Sequence, residues 1–294
     1  MQSRIALLLV VALAGLAAAS TAGAQSWSQR NEAAVRFVET RSGVESFAFV
    51  DDRGKLRGYR AWRVAPSASM LKAMLLVAYL NRQSVRARAL TSTDRGLLAP
   101  MIRWSDNGTA TRVLSIVGAG RLYRLANRAN MLHFRLRSPW GLSEMTARDQ
   151  ARFFYRIRSF VAPRHRSYAL NLLASIVPSQ RWGIPPVKPP RWSIHFKGGW
   201  GSGTGAVTHQ AALLRRDGRR LALAVFTTSN PSHSYGTATI RGVASRFLRP
   251  RPLPLAAVNT ERGAGSLTPA VAAASGDGRA PRVHHRYRQQ AAAP

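Results

Sequence analysis

The apolar positions of this chain follow two periods in turn. Residues 26–40 carry Ala34, Phe37 and Val38 at helical spacing and predict a helix. Residues 46–50 and 56–62 read as strands joined by the turn Asp51-Asp52-Arg53-Gly54, a hairpin. Residues 66–80 then become apolar on nearly every side from Met70 onward, the pattern of a buried helix, with Pro66 and Ser67 as its opening residues. From Leu90 to about Val177 the pattern stays helical, with helices predicted over 94–102, 109–117, 120–129, 147–160 and 165–176. A connector containing Pro185, Pro186, Pro189 and Pro190 follows. Beyond it the period becomes strand-like over 192–197, 206–215 and 219–228, with Asp217-Gly218 as a hairpin turn, before a closing helix over 237–248. Strands at both ends with helices between them predict an α+β fold. Its antiparallel sheet lobe takes residues of about 25–65 and 185–250, and an all-helical lobe of about 66–184 is inserted.

The two ends break these periods. Arg4, the apolar run 5–19 and Ala22-Gly23-Ala24 have the layout of a cleaved signal peptide over 1–24, so the protein is expected to be exported. With no cysteine in the chain there is no lipidation site and no disulfide, and the core alone must hold the fold. Residues 251–294, rich in Pro, Ala, Gly and Ser without periodicity, read as a disordered tail. The rest is enough for one large domain or two lobes, and a monomer is expected.

Charge changes the picture less than its size suggests. The formal charge is +32, of which +27 falls between residues 25 and 250. The arginines are scattered, and no basic–aromatic nucleic-acid motif accompanies them, so nucleic acid is not the expected partner. An exported protein of this charge meets anionic cell-wall polymers first. The bias toward arginine makes the lysines informative: only Lys55, Lys72, Lys188 and Lys197 occur. Arginine stays protonated at working pH, so a position that needs a titratable amine must be lysine.

Three short segments carry candidate chemistry. Ser69 and Lys72 stand one helical turn apart on one face at the start of the apolar helix. A buried lysine tends to lose its proton, and a neutral amine beside a hydroxyl is a base beside a nucleophile. Ser105, Asp106 and Asn107 form a polar loop between two predicted helices. Lys197-Gly198-Gly199-Trp200 ends a predicted strand, with two glycines that let a ligand lie against its edge. In this order and context, Ser-x-x-Lys, Ser-Asp-Asn and Lys-Gly-Gly resemble the motifs of the serine β-lactamase and penicillin-binding protein superfamily, nearest its class A branch. The resemblance spans about residues 26–248 and implies the β-lactamase/transpeptidase-like fold.

The same resemblance implies that Ser69 is the acylated nucleophile, Lys72 its base, and Ser105 the relay to the leaving nitrogen. Asn107 would hold the substrate amide and Lys197 its carboxylate, with neither metal nor organic cofactor. The backbone N–H groups of Ser69 and Trp200, the latter beside Gly199, would form the oxyanion hole. Lys197 is expected to sit near Lys72 and depress its pKa. Two departures stand out. The usual Lys-Thr-Gly is Lys-Gly-Gly, so a carboxylate-binding hydroxyl is missing. The Glu-x-x-Leu-Asn pattern that supplies the deacylating base is also missing: Glu144, the only acid between Asn107 and Thr146, is the sole candidate water base, and no Leu-Asn follows it.

Other signals fade on inspection. The alternating glycines after Gly199 precede a strand instead of a helix, which argues against a phosphate loop. His133, His165, His195, His209 and His233 lack metal-ligand spacing. The expected protein is an exported serine hydrolase opening β-lactams or acting on related D-Ala-D-Ala-type substrates, slow in deacylation. Its rivals are a D,D-carboxypeptidase or esterase using the same serine, and a non-catalytic protein binding the cell wall through its basic surface.

Overall fold

Residues 56–59, 44–50, 219–228, 207–216 and 193–201 lie side by side in that order as a five-stranded antiparallel sheet. The structure, a computed structural model, describes residues 25–249 apart from residues 202 and 204. The expected signal peptide and tail therefore lie outside the described residues. In chain order the helices are α1 (Trp27–Val38), α2 (Leu71–Leu80), α3 (Gln83–Arg86), α4 (Ser92–Arg103), α5 (Asn107–Val117), α6 (Ala119–Arg128), α7 (Ala147–Phe160), α8 (Arg166–Ala174) and α9 (His233–Leu248). The strands are β1 (Val44–Val50), β2 (Leu56–Tyr59), β3 (Val64–Pro66), β4 (Glu144–Thr146), β5 (Ser193–Gly201), β6 (Val207–Arg216) and β7 (Arg219–Thr228). The expected α+β architecture, with an antiparallel sheet lobe and a helical lobe, is the one found.

Strand alternation explains how the sheet is buried on both faces. Phe47, Phe49, Phe196, Leu214, Leu223 and Val225 point outward, where they pack with Ala34, Val38, Val243 and Phe247 of α1 and α9. The Phe247 ring stacks on Phe49 at 4.4 Å and meets Phe47 edge-on at 5.7 Å. The inner face is built from smaller side chains. Ala48, Ala224, Ala211 and Lys197 lie in one register row across the sheet. Alanines there let the α7 side chains Phe153, Phe154 and Ile157 approach closely in the main core. Lys197 thus ends a row of methyl groups and points into the interior.

Two expectations need correcting. The buried helix does not open at Pro66. Pro66 is the last residue of β3, which pairs with β4 through Val64–Thr146, Ala65–Met145 and Pro66–Glu144. A single 3-10 turn, Ala68–Met70, then leads into α2. Proline fits such a strand end because it lacks only a donor there. The second strand of the hairpin ends at Tyr59, before Arg60 turns to a positive φ of 45°. Helix α7 falls within the span expected for the helical lobe, yet its apolar face covers the sheet.

Candidate active site

Ser69 sits in the 3-10 turn at the head of α2, and every residue of α2 is buried, Lys72 included. The turn is fastened from three sides. Ser67 N–H donates to the Ser143 carbonyl at 2.6 Å, and Met70 N–H donates to Ser67 O at 3.0 Å. His209 of β6 bonds the Pro66 carbonyl through Nε2 at 3.0 Å, while its Nδ1 accepts the Thr227 N–H at 3.1 Å. Those two bonds require the neutral ring with its proton on Nε2. Burial agrees, holding the His209 pKa down at about 4.

Ser105 lies just past the end of α4 in a left-handed conformation, φ 60°. Trp104 and Asp106 N–H groups both donate to Pro100 O, at 3.1 and 3.2 Å, which shapes this loop. Asp106 caps α5, accepting from Thr109 N–H at 2.6 Å and Thr109 Oγ1 at 2.8 Å. Those two bonds lower its pKa. Asn107, the first residue of α5, is then held with its amide toward α2.

These elements converge on Lys72. Its Nζ is 3.1 Å from Ser69 Oγ, 3.1 Å from Ser105 Oγ and 2.8 Å from Asn107 Oδ1, and it also contacts the Ser105 carbonyl. Asn107 Oδ1 and the Ser105 carbonyl can only accept hydrogen bonds. A neutral amine has two N–H groups and one lone pair. With both N–H groups given to those two oxygens, the lone pair is left for a hydroxyl. Burial pulls the Lys72 pKa down to about 7, with the Asp106 charge opposing. The expectation that Lys197 would do this is not met. Burial acts first on both lysines, and the repulsion between them weighs on Lys197, whose pKa falls well below the usual lysine value. Lys197 Nζ reaches Ser105 Oγ at 3.0 Å and its neighbour's carbonyl, Gly198 O, at 2.7 Å. Ser105 Oγ is therefore a bridge between two amines.

Gly199 faces the Ser69 turn at contact distance. A Cβ placed there would meet Ser69 N at 2.8 Å and Met70 N at 3.0 Å. Only glycine lets the strand edge and the turn approach this closely. Trp200 follows at the rim, with 38% of its surface exposed.

Glu144 is not drawn into this group. It lies in β4 opposite Pro66, and Arg137 engages its carboxylate through Nε at 2.9 Å and a terminal guanidinium nitrogen at 2.8 Å. The residue above Lys72 is Trp140, whose ring centroid is 5.1 Å from Nζ and whose indole N–H donates to Thr111 Oγ1 at 3.1 Å. Sequence reasoning missed Trp140, as it missed the positioning role of His209. Neither lies in a local motif. Among the described residues no three His, Asp or Glu side chains are grouped to hold a metal.

A family model described as the β-lactamase enzyme family matches residues 85–249. The chain belongs to the β-lactamase enzyme family. The matched stretch contains Ser105, Asn107 and Lys197, and Ser69 and Lys72 precede it. An ancestral class A β-lactamase shares the fold with a TM-score of 0.65 at 20% identity, over 74% of this chain and 98% of that one. The β-lactamase from Sphaerobacter thermophilus DSM 20745 has a TM-score of 0.66 at 19% identity, over 76% and 96%. PBP-A has a TM-score of 0.61 at 17% identity, over 76% and 97%. These likenesses show that the chain has the fold shared by class A β-lactamases and PBP-A. No protein of curated function matches it.

Proposed function

We propose that this protein is an acyl-serine enzyme that opens β-lactams or cleaves related D-Ala-D-Ala-type amides, and that its acyl-enzyme is long-lived. The observation that carries the reading is the hydrogen-bond arithmetic at Lys72, which leaves a lone pair for Ser69 while Ser105 Oγ stands between Lys72 and Lys197. Lys72 takes the Ser69 proton as Oγ attacks the carbonyl carbon. Ser105 passes a proton to the departing nitrogen. Asn107 and the edge of β5 hold the acyl amide, and the Ser69 and Trp200 N–H groups receive the developing oxyanion.

Deacylation needs a water held and deprotonated on the acyl face. Trp140 occupies the space over Lys72 and Arg137 holds Glu144. General-base help at such a step is typically worth about 10²–10⁴-fold. Its loss makes the acyl-enzyme accumulate. A mutant of PBP-A, a fold relative with a TM-score of 0.61 at 18% identity, has been captured as an acyl-enzyme with penicillin G.

Intact-protein mass spectrometry after β-lactam incubation tests the reading. One equivalent of adduct on the wild type and none on Ser69→Ala is expected. Nitrocefin should give a burst of one equivalent followed by slow turnover that Glu144→Gln leaves almost unchanged. An adduct on Ser69→Ala would remove the nucleophile assignment. Fast turnover without a burst, collapsing in Glu144→Gln, would make Glu144 the water base.

A further inference from the structure

Gly198 sits where the superfamily's usual motif has a hydroxyl, and the structure fills that place with an aromatic ring. A Cβ at Gly198 would meet Trp182 ring carbons at 2.8 and 2.9 Å. Gly198 lies in register with Gln210, and this row points to the outer face of the sheet, opposite to Lys197. Gln210 is fully buried and locks the Trp182 segment in place. Its Nε2 donates to Trp182 O at 2.9 Å, and its Oε1 accepts the Ile184 N–H at 2.7 Å. Between them Gly183 takes φ 68°, where a Cβ would strike Gln210 Oε1 at 2.6 Å. Gln180 Nε2 also ties this segment to Trp104 O, beside Ser105, at 2.8 Å. The ring is therefore a fixture of the site's wall.

Two further aromatic groups extend it. Trp182 meets Trp200 edge-on at 5.9 Å and His233 edge-on at 5.2 Å, and Trp200 lies 5.8 Å from His233. His233 is held by Thr208, Oγ1 to Nδ1 3.1 Å, and Thr208 is the register partner of Trp200. The β6 residues opposite Gly198, Gly199 and Trp200 are Gln210, His209 and Thr208, so none supplies a cation. Lys197 is fully buried, and its amine is spent on Ser105 Oγ and Gly198 O. At Gly198 a free carboxylate would find ring carbons of Trp182 where the usual motif offers a hydroxyl.

We propose that Trp182, Trp200 and His233 form a leaving-group subsite that selects substrates whose departing portion is flat and uncharged over those ending in a free carboxylate. This rests on the acyl-serine reading, in which Ser105 marks the leaving-group side. In that step the Ser69 Oγ–carbon bond forms as the carbon–nitrogen bond breaks. The serine proton travels through Lys72 and Ser105 to the nitrogen, and water later frees the serine.

Benzylpenicillin and its benzyl ester make a matched pair, with the same reacting bond and different substituents on the nitrogen side, which stays tethered after the ring opens. Their second-order acylation rates are read by intact mass at high salt, where attraction of the acid to the basic surface is screened. The wild type should acylate about tenfold faster with the ester, the range of a good aromatic contact. Trp182→Leu should erase most of that ratio, Trp182→Phe should keep it, and Trp182→Leu with Gly198→Thr should tip it toward the acid. Preference of the wild type for the acid overturns the subsite, as does a ratio unmoved in Trp182→Leu. If neither compound acylates Ser69, the acyl-serine reading itself falls and takes the subsite with it.

Discussion

Lys72 shows how a single side chain is set to its task by competing forces. Asn107 Oδ1 and the Ser105 carbonyl favour a donor, while burial among the α2 side chains penalises charge and wins, leaving a pKa of about 7. The shift from the usual 10.5 corresponds to about 5 kcal/mol at 1.36 kcal/mol per unit. If the neutral amine is the working base, as proposed, acylation should rise with pH through about 7 and level off above it, as read by β-lactam labelling rates. Lys72→Arg keeps the charge and loses the titration. That variant should acylate at least about 10²-fold more slowly with no rise near neutrality. Lys55→Arg and Lys188→Arg should leave the profile unchanged. A Lys72→Arg enzyme with the wild-type profile would show that Lys72 is a structural cation.

At the level of elements, β6 fastens the Ser69 turn through His209. Its folded pKa of about 4 lies below the ordinary 6.5 of an unfolded chain. The sign follows directly. Above pH 6.5 both states hold the neutral ring and the stability is complete; below it the unfolded chain binds the proton first. Stability is therefore lost as pH falls from about 6.5 to 4, by about 3 kcal/mol for this group. Urea unfolding at pH 7 and pH 4.5 should show a smaller acid loss in His209→Gln than in the wild type, although the variant starts lower. An equal loss in both would assign the acid sensitivity elsewhere, for instance to His195, whose pKa burial also lowers. This link between β6 and Pro66 was not legible in the sequence, and the reason is physical. Ser69, Lys72, Ser105 and Lys197 announce themselves because each belongs to a motif of a few residues with its own local periodicity. The β7 strand Arg219–Thr228 and helix α7 were readable to the residue for the same reason. His209 with Pro66, Trp140 with Lys72 and Trp182 with Gly198 are contacts made across long stretches of chain. No spacing records them. The three-residue strands β3 and β4 are too short to show alternation, so Pro66 read as a helix opening.

Across the whole molecule the six ion pairs among the described residues draw on few acids, far fewer than the arginines could engage. Several arginines lie instead over aromatic rings, as Arg41 does over Tyr235 at 3.7 Å and Arg220 over Tyr155 at 4.2 Å. A net charge of this size should make the protein bind anionic polymers by long-range attraction that salt screens. Co-sedimentation with a carboxylate- or phosphate-rich wall polymer should fall steeply between low ionic strength and about 0.5 M salt, where the Debye length has shrunk to a few ångströms. Retention at high salt would point to a shaped site instead of a diffuse field. Labelling of Ser69 should continue under both conditions, because the buried amines are shielded from the bulk.

Strand β5 ends the sheet, and an open sheet edge invites other chains to add to it. The Ser69 turn packs against Gly199 on the inner face of the sheet, beside that edge. When heat loosens this turn from the strand, the candidate site comes apart and the end strand loses a packing neighbour in one event. Inactivation should therefore be irreversible at high protein concentration, with light scattering beginning at the temperature where β-lactam labelling is lost. Scattering that starts many degrees later would show that something besides the turn protects the edge.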